Sequence, residues 1–383
     1  MVSLPVEGLV LSSPAASGRA RLLTPSAVRA LVERLGVRPA KHLGQNFVVD
    51  AGVIRRVVAA ARLAPGERVV EVGPGLGSLT LGLLDAGASV VAIEIDPRLA
   101  AALPATVESF GWRVADGLPV SPAHDAVGSV PPPSPGSLGS PGSLGSPGLP
   151  GAAGIGGQLE SPGSAAEAQL TVLLADALEV RALPGRSASS LVANLPYSVA
   201  TRVLLRFLER FEGIRHGLVM VQAEVAARLT APPGSRTYGV PSAKLAWWAD
   251  ARLAGRAPRS AFFPVPRVDS ELVYFERRTA PQAHTSRERV FAVIDAAFAA
   301  RRKTLRAALA GLAGGAGPAE AASRAAGIDP AARGETLGIE DFARLAEHLD
   351  SAAVGGADPG RRDVPGNDPR APKRGRDGRG GQR

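Results

Sequence analysis

The sequence predicts a doubly wound α/β sheet with helices on both faces, followed by a small all-helical domain. Three observations predict it. Val69-Val70-Glu71-Val72 is a short apolar run that passes straight into Gly73-Pro74-Gly75-Leu76-Gly77 and a helix beginning at Ser78. Three later apolar runs, residues 89–93, 170–174 and 190–193, likewise end in polar residues. Beyond residue 278 the period becomes helical, with Val290, Ile294, Ala297 and Phe298 forming one stripe on a helix from about Arg287.

In chain order, the first strand delivers a glycine turn of GxGxG spacing, distinct from the GxGxxG of dinucleotide binders. Gly73, Gly75 and Gly77 let the backbone approach a ligand, and the following helix start offers free N–H groups. A plain turn is the alternative reading. The second strand ends in Glu94-Ile95-Asp96, which sets an acid where a ribose hydroxyl pair would sit. Asp96-Pro97 has the form of a helix cap, so the ribose falls to Glu94. The third strand ends in Ala175-Asp176-Ala177, and the fourth delivers Asn194. Ligands of open α/β sheets collect beyond the carboxyl ends of the strands, so these ends predict one shared crevice.

Asn194-Leu195-Pro196-Tyr197 carries the chemistry. An exocyclic amino nitrogen on adenine is a poor nucleophile because its lone pair is delocalised into the ring, and positioning must do most of the work. The Asn194 side-chain oxygen and the Leu195 carbonyl are suited to accept its two N–H bonds, with Tyr197 stacked on the base. Such a base must be unpaired or extruded. An Asn-Pro turn after a buried strand is the bland alternative.

These segments resemble the small-subunit ribosomal RNA adenine dimethyltransferases over residues 21–349. The resemblance rests on Lys41-His42-Leu43-Gly44-Gln45-Asn46-Phe47, residues 71–80, Glu94-Ile95-Asp96, Asp176-Ala177-Leu178 and Asn194-Leu195-Pro196-Tyr197. It continues through Tyr238-Gly239, the stretch from Phe262 to Ser270, and Arg301-Arg302-Lys303-Thr304-Leu305-Arg306. It implies a Rossmann-like class I methyltransferase sheet with S-adenosylmethionine as donor. Gln45 and Asn46 are then expected near the methionine end, with the glycine loop beneath the cofactor, Glu94 on the ribose and Asp176 on the adenine. Phe47, Glu71, Ala177 and Asn194 complete the expected cofactor set. The implied product is N6,N6-dimethyladenosine at two adjacent adenosines near the 3′ end of the small-subunit RNA.

Phe262 resembles a second aromatic sandwiching the target base, and an ordinary core Phe is the competing reading. Leu195 stands where related DNA enzymes usually have proline, which suits two methylations of one nitrogen. Arg301, Arg302, Lys303 and Arg306 are read as continuing the helix from Arg287 and contacting RNA phosphates; a solvated charged face is the alternative. The large-subunit dimethyltransferases of antibiotic resistance share several motifs, and the segment around Arg301 favours the small-subunit group over them. A nicotinamide dehydrogenase leaves the Asn194 tetrapeptide unexplained, while a non-catalytic RNA-binding assembly factor on the same scaffold remains open.

The composition bounds the rest. The 383 residues are 45% hydrophobic, enough for one large and one small domain, and no apolar run is long enough to span a bilayer. The chain has no cysteine and five scattered histidines, so no metal site is expected. Net charge is +9, and residues 361–383 hold eight basic and three acidic residues. Such an Arg/Gly-rich tail is expected to be disordered and to strengthen nucleic-acid binding. The expected organisation is a leader at 1–20, a methyltransferase domain at 21–278, a helical RNA-binding domain at 279–350 and a basic tail at 351–383. Residues 117–168, rich in Gly, Pro and Ser with a repeated Ser-Leu-Gly-Ser-Pro-Gly, are expected to form a flexible insert. A cytoplasmic monomer acting on small-subunit RNA within a preribosomal particle is the overall expectation.

Overall fold

The computed structural model describes residues 22–37, 46–115, 168–300 and 302–355. The expected leader, nearly all of the insert, Gln45, Arg301 and the tail past residue 355 lie outside these residues.

The first part of the chain runs α1 (Pro25–Arg34), β1 (Phe47–Val48), α2 (Ala51–Ala61), β2 (Arg68–Val72), α3 (Ser78–Asp85), β3 (Ser89–Glu94) and α4 (Pro97–Glu108). It continues with β4 (Leu170–Leu174), β5 (Ser190–Asn194), α5 (Ala200–Arg210), β6 (His216–Gln222), α6 (Ala223–Leu229) and α7 (Val240–Leu245). Next come β7 (Ala249–Ala257), β8 (Phe262–Phe263) and β9 (Ser270–Arg277). Seven strands form one sheet in the order β4-β3-β2-β5-β6-β9-β7. The first five are parallel, whereas β9 runs antiparallel to both of its neighbours.

The strands read as continuous apolar runs because both sheet faces are covered, and every residue of β2 is buried. Alternation still sorts the side chains. Val69, Val90 and Val192 enter a cluster with Ile54, Leu81 and Leu103 of the early helices, while Val70, Leu191 and Val219 pack with Leu204 and Phe207 of α5. The chain reverses its direction of sheet growth between β2 and β5, and this opens a crevice at their carboxyl ends.

Beside β4 a single parallel bridge pairs Val114 with Leu170 and extends the sheet edge by one residue pair. Asp176 follows the full strand β4.

The last part comprises α8 (Arg287–Ala299), α9 (Leu305–Ala308), α10 (Ala310–Ala313), α11 (Ala316–Ala325) and α12 (Ile339–Gly355). Its core gathers Val290, Ile294, Leu305, Leu309 and Phe342, and it also recruits Tyr238, Ala243 and Trp247 from around α7. The Tyr238 hydroxyl donates to the Leu337 carbonyl at 2.9 Å, and Arg278 meets Glu340 at 2.5 Å. The helical part therefore shares side chains with the sheet part rather than beginning cleanly at residue 279. Helix α12 extends past the boundary expected at residue 350.

One helical expectation is corrected. Helix α8 stops at Ala299, and Arg302 and Lys303 lie in an exposed turn, with Arg306 on the separate helix α9. The turn brings Leu305 fully into the core, with its N–H bonded to the Ala332 carbonyl at 2.8 Å. Burying that leucine outweighs one more turn of α8.

Candidate active site

A cavity of about 320 Å³ opens at the carboxyl ends of β2, β3, β4 and β5. Its wall includes Asn46, Phe47, Glu71, Gly73, Gly75, Glu94, Asp176, Ala177, Asn194 and Pro196, so the structure brings these ten predicted residues together. Gly77, Leu195, Tyr197 and Phe262 do not contribute to the wall.

The glycine turn shapes the floor. Gly75 has φ +58, and a Cβ there would lie 3.0 Å from the Phe47 ring. Gly77 instead serves the turn into α3: its φ is +90, and a Cβ would lie 2.7 Å from Leu103 Cδ1. The loop is thus pressed between the cavity and the core.

Two buried carboxyls face the cavity without a cationic partner among the described residues. Glu94, at the end of β3, accepts from the Ile95 and Asp96 N–H groups through Oε1, at 2.9 and 3.0 Å, and from Gly75 N–H through Oε2 at 3.1 Å. Burial nevertheless holds its pKa above the ordinary carboxylate value. Glu71 is fully buried in β2 and accepts from Thr80 Oγ1 at 2.7 Å; burial pushes its pKa up to about 8. At neutral pH Glu71 is therefore mainly protonated. Asp176 is exposed, and its Oδ1 accepts from Leu178 N–H at 2.8 Å, which fixes the turn after β4.

At the end of β5, the Asn194 Nδ2 donates to the Asn46 carbonyl at 3.0 Å. A carbonyl can only accept, so the amide must present its NH₂ to Asn46 and keep Oδ1 as an acceptor on the other side. Leu195 follows as a core residue, 1% exposed, with its N–H bonded to the Met220 carbonyl. Tyr197 is half-buried and shares a hydrogen bond with Ser270 Oγ at 2.9 Å. Burial raises the phenol pKa, so it stays protonated.

Phe262 is corrected to a core residue. It is 2% exposed, in the antiparallel pair Val48↔Phe262 and Phe47↔Phe263. Of these aromatic residues, Phe47 reaches the cavity wall. Ser78, Ile95 and Ser270 carry site features that sequence reasoning assigned no role. Ser78 Oγ is buried in the wall without a hydrogen-bond partner among the described residues, and Ile95 is 52% exposed at its rim. An apolar residue directly beyond a strand end, as Ile95 is, was the available signal.

The fold and cavity together define a methyltransferase of the doubly wound α/β class, with a nucleoside-sized hollow and an oriented amide beside it. The family described as ribosomal RNA adenine dimethylase matches residues 37–116 and 160–351. A protein named ribosomal RNA small subunit methyltransferase A from Kineococcus radiotolerans is 52% identical over 88% of this chain and 95% of its own length. Its namesake from Thermobifida fusca is also 52% identical, over 87% of this chain and 98% of its own. The chain belongs to the ribosomal RNA adenine dimethylase family. A solved dimethyladenosine transferase from Plasmodium falciparum shares the fold, with a TM-score of 0.56 at 17% identity, over 80% of this chain and 98% of that one.

S-adenosylmethionine is accordingly the cofactor, and the residues present fit it. Glu94 is buried and, among the described residues, lacks a cation and has one donor on Oε2, which suits neutral ribose hydroxyls. The orphaned Ser78 hydroxyl offers a further polar contact at the start of α3. Among the described residues no group of three acid or histidine ligands is placed to hold a metal, and no helix is long and apolar enough to cross a membrane.

Proposed function

We propose that this protein methylates N6 of two adjacent adenosines near the 3′ end of small-subunit ribosomal RNA, twice at each nitrogen, with S-adenosylmethionine as donor. The observation that carries the reading is the Asn194 amide, held by the Asn46 carbonyl so that its Oδ1 can accept an N–H from an amino group. The names of both relatives at 52% identity support the small subunit as substrate. Action in the cytoplasm, as a monomer on a preribosomal particle, completes the proposal.

In this reading Asn194 Oδ1 and the Leu195 carbonyl hold the amino group, drawing its nitrogen out of conjugation and aiming the lone pair at the cofactor side. Tyr197 fixes the plane of the extruded base, its ring tethered through Ser270. Glu94 would hold the ribose, and the glycine turn and Phe47, which line the same cavity, would hold the rest of the cofactor. What the bound cofactor supplies is an electrophilic methyl group, whose transfer leaves a neutral thioether while the amino nitrogen gains the methyl and releases a proton. Raised pKa values at Glu71 and Tyr197 fit a site that holds its groups uncharged and lets position do the work. Exposed Arg302, Lys303 and Arg306 would meet RNA phosphates, although Arg306 already bonds Glu320 at 3.0 Å.

The test incubates the protein with labelled S-adenosylmethionine and separated small- and large-subunit ribosomal RNA, then digests to nucleosides. Dimethyladenosine from the small-subunit RNA is expected. Label confined to the large-subunit RNA, or to monomethyladenosine, refutes the reading.

A further inference from the structure

A second hollow, of about 430 Å³, lies away from the cofactor cavity between α2 and the edge strand β7. Arg56 and Arg62 from the helix side and Arg252 and Arg256 from the strand wall it, and all four are exposed. Glu271 meets Arg256 at 3.1 Å; among the described residues the other three have no ion pair. Instead Arg252 and Arg62 both lie on the Tyr274 ring, 4.6 and 5.4 Å from its centroid. Stacking on a ring fixes a guanidinium plane and leaves its edge N–H donors open to a ligand.

Ordinary roles account for single members of this set. Arg62 sits at the C-terminal end of α2, where a cation is favourable, and a charged residue on an edge strand discourages stray pairing. Neither role calls for four guanidinium groups around one concavity. Their mutual repulsion is relieved by an anion. The strand also leads toward the methylation site: the Arg256↔Glu271 pair adjoins Ala257↔Ser270, and Ser270 holds the Tyr197 hydroxyl.

We propose that this hollow binds the phosphate backbone of the RNA substrate, as a second anchor separate from the turn at Arg302 and Lys303. The proposal rests on the reading of the substrate as small-subunit ribosomal RNA. Planar guanidinium forks match phosphate oxygens, and such contacts set register and affinity without reading bases. A polyanion that the site must already hold by an extruded base has further phosphates to offer along the same edge. An acidic protein segment would satisfy the charge, but nothing in the site calls for one.

The test measures binding of protein-free small-subunit RNA by the full chain and by R56Q/R252Q between 50 and 200 mM salt. Two lost phosphate contacts should lower the slope of log K against log salt by roughly 1.4–1.8, at about 0.7–0.9 each. The dissociation constant should rise about tenfold at the low-salt end, while that for S-adenosylmethionine is unchanged. R55Q, which removes an exposed arginine of the same helix outside the hollow, should bind as wild type. Unchanged slope and affinity in R56Q/R252Q, from a preparation whose wild type methylates small-subunit RNA, overturns this inference alone. Loss of polyglutamate binding with RNA binding intact overturns it in favour of an acidic protein. A wild type that neither binds nor methylates that RNA overturns the proposed function and this inference together.

Discussion

Replacing Asn194 by aspartate changes one atom of the proposed site and tests how the amide is held. The Nδ2 that donates to the Asn46 carbonyl at 3.0 Å becomes an oxygen, so two acceptors confront each other. The lost hydrogen bond costs about 0.5–1.5 kcal/mol, and leaving a half-buried carbonyl facing an acceptor adds about 1–3 kcal/mol. A carboxylate that turns away to escape this no longer presents its oxygen to the amino group. The combined cost of roughly 2–4 kcal/mol corresponds to about a 30- to 1,000-fold loss of kcat/KM at pH 8. Once protonated, the carboxyl introduced by N194D can again donate to the Asn46 carbonyl. That contact favours the protonated form and raises the carboxyl pKa, so activity lost at high pH should partly return as pH falls toward 6. Asn194→Ala should lose activity at every pH. The assay is methylation of small-subunit RNA over pH 6–8, with S-adenosylmethionine affinity and melting temperature as controls. Wild-type kcat/KM for N194D at pH 8, or parallel pH profiles for N194D and N194A, would refute the reasoning.

Glu71→Gln keeps the acceptor for Thr80 and removes the titration. Because burial raises the folded pKa to about 8 from an ordinary 4.5, the wild type should lose stability as pH rises through this window. The stability difference between E71Q and wild type, read by urea unfolding, should therefore move toward E71Q by several kcal/mol between pH 5 and 9; a constant difference contradicts it. Gly77→Ala meets both a φ of +90 and a 2.7 Å approach to Leu103 Cδ1, and should cost about 1–3 kcal/mol. A melting temperature within a degree of wild type would show that the turn relaxes freely. Glu94→Gln should weaken S-adenosylmethionine binding at least tenfold in calorimetry and leave the RNA dissociation constant unchanged. R302Q/K303Q should do the reverse, lowering the RNA salt slope by about 1.4–1.8 with cofactor affinity intact.

The sheet was legible because burial on both faces leaves uninterrupted apolar runs, and each run is punctuated by the polar residue that faces the crevice. Residues 89–93 and 190–193 could thus be read as strands, and Glu94 and Asn194 as the polar ends that line the cavity. What depends on three-dimensional closure was not legible. Phe262 looked like a stacking residue in the linear motif, yet its pairing with Val48 across 214 positions of sequence puts it in the core. Arg301, Arg302 and Lys303 follow a helical stripe without a proline or glycine to stop it, yet α8 ends at Ala299 and Leu305 is buried in the helical core. The hollow at Arg252 was invisible for the same reason: its two walls come from α2 and β7, far apart in the chain.

Closure also explains why a strand of two residues matters to the site. The Asn46 carbonyl holds the Asn194 amide, Phe47 lies against the Gly75 turn, and Val48 pairs with Phe262. Three consecutive residues therefore tie the Asn194 end of β5, the glycine turn after β2 and the segment leading to Ser270 into one unit. None of these ties is strong alone; a neutral hydrogen bond nets about 1 kcal/mol. Held together they share one loss of backbone freedom, so displacing the segment would loosen all three at once. The proposed positional catalysis depends on that sharing, because an amino nitrogen would gain nothing from a correctly placed amide if the glycine turn could drift from it.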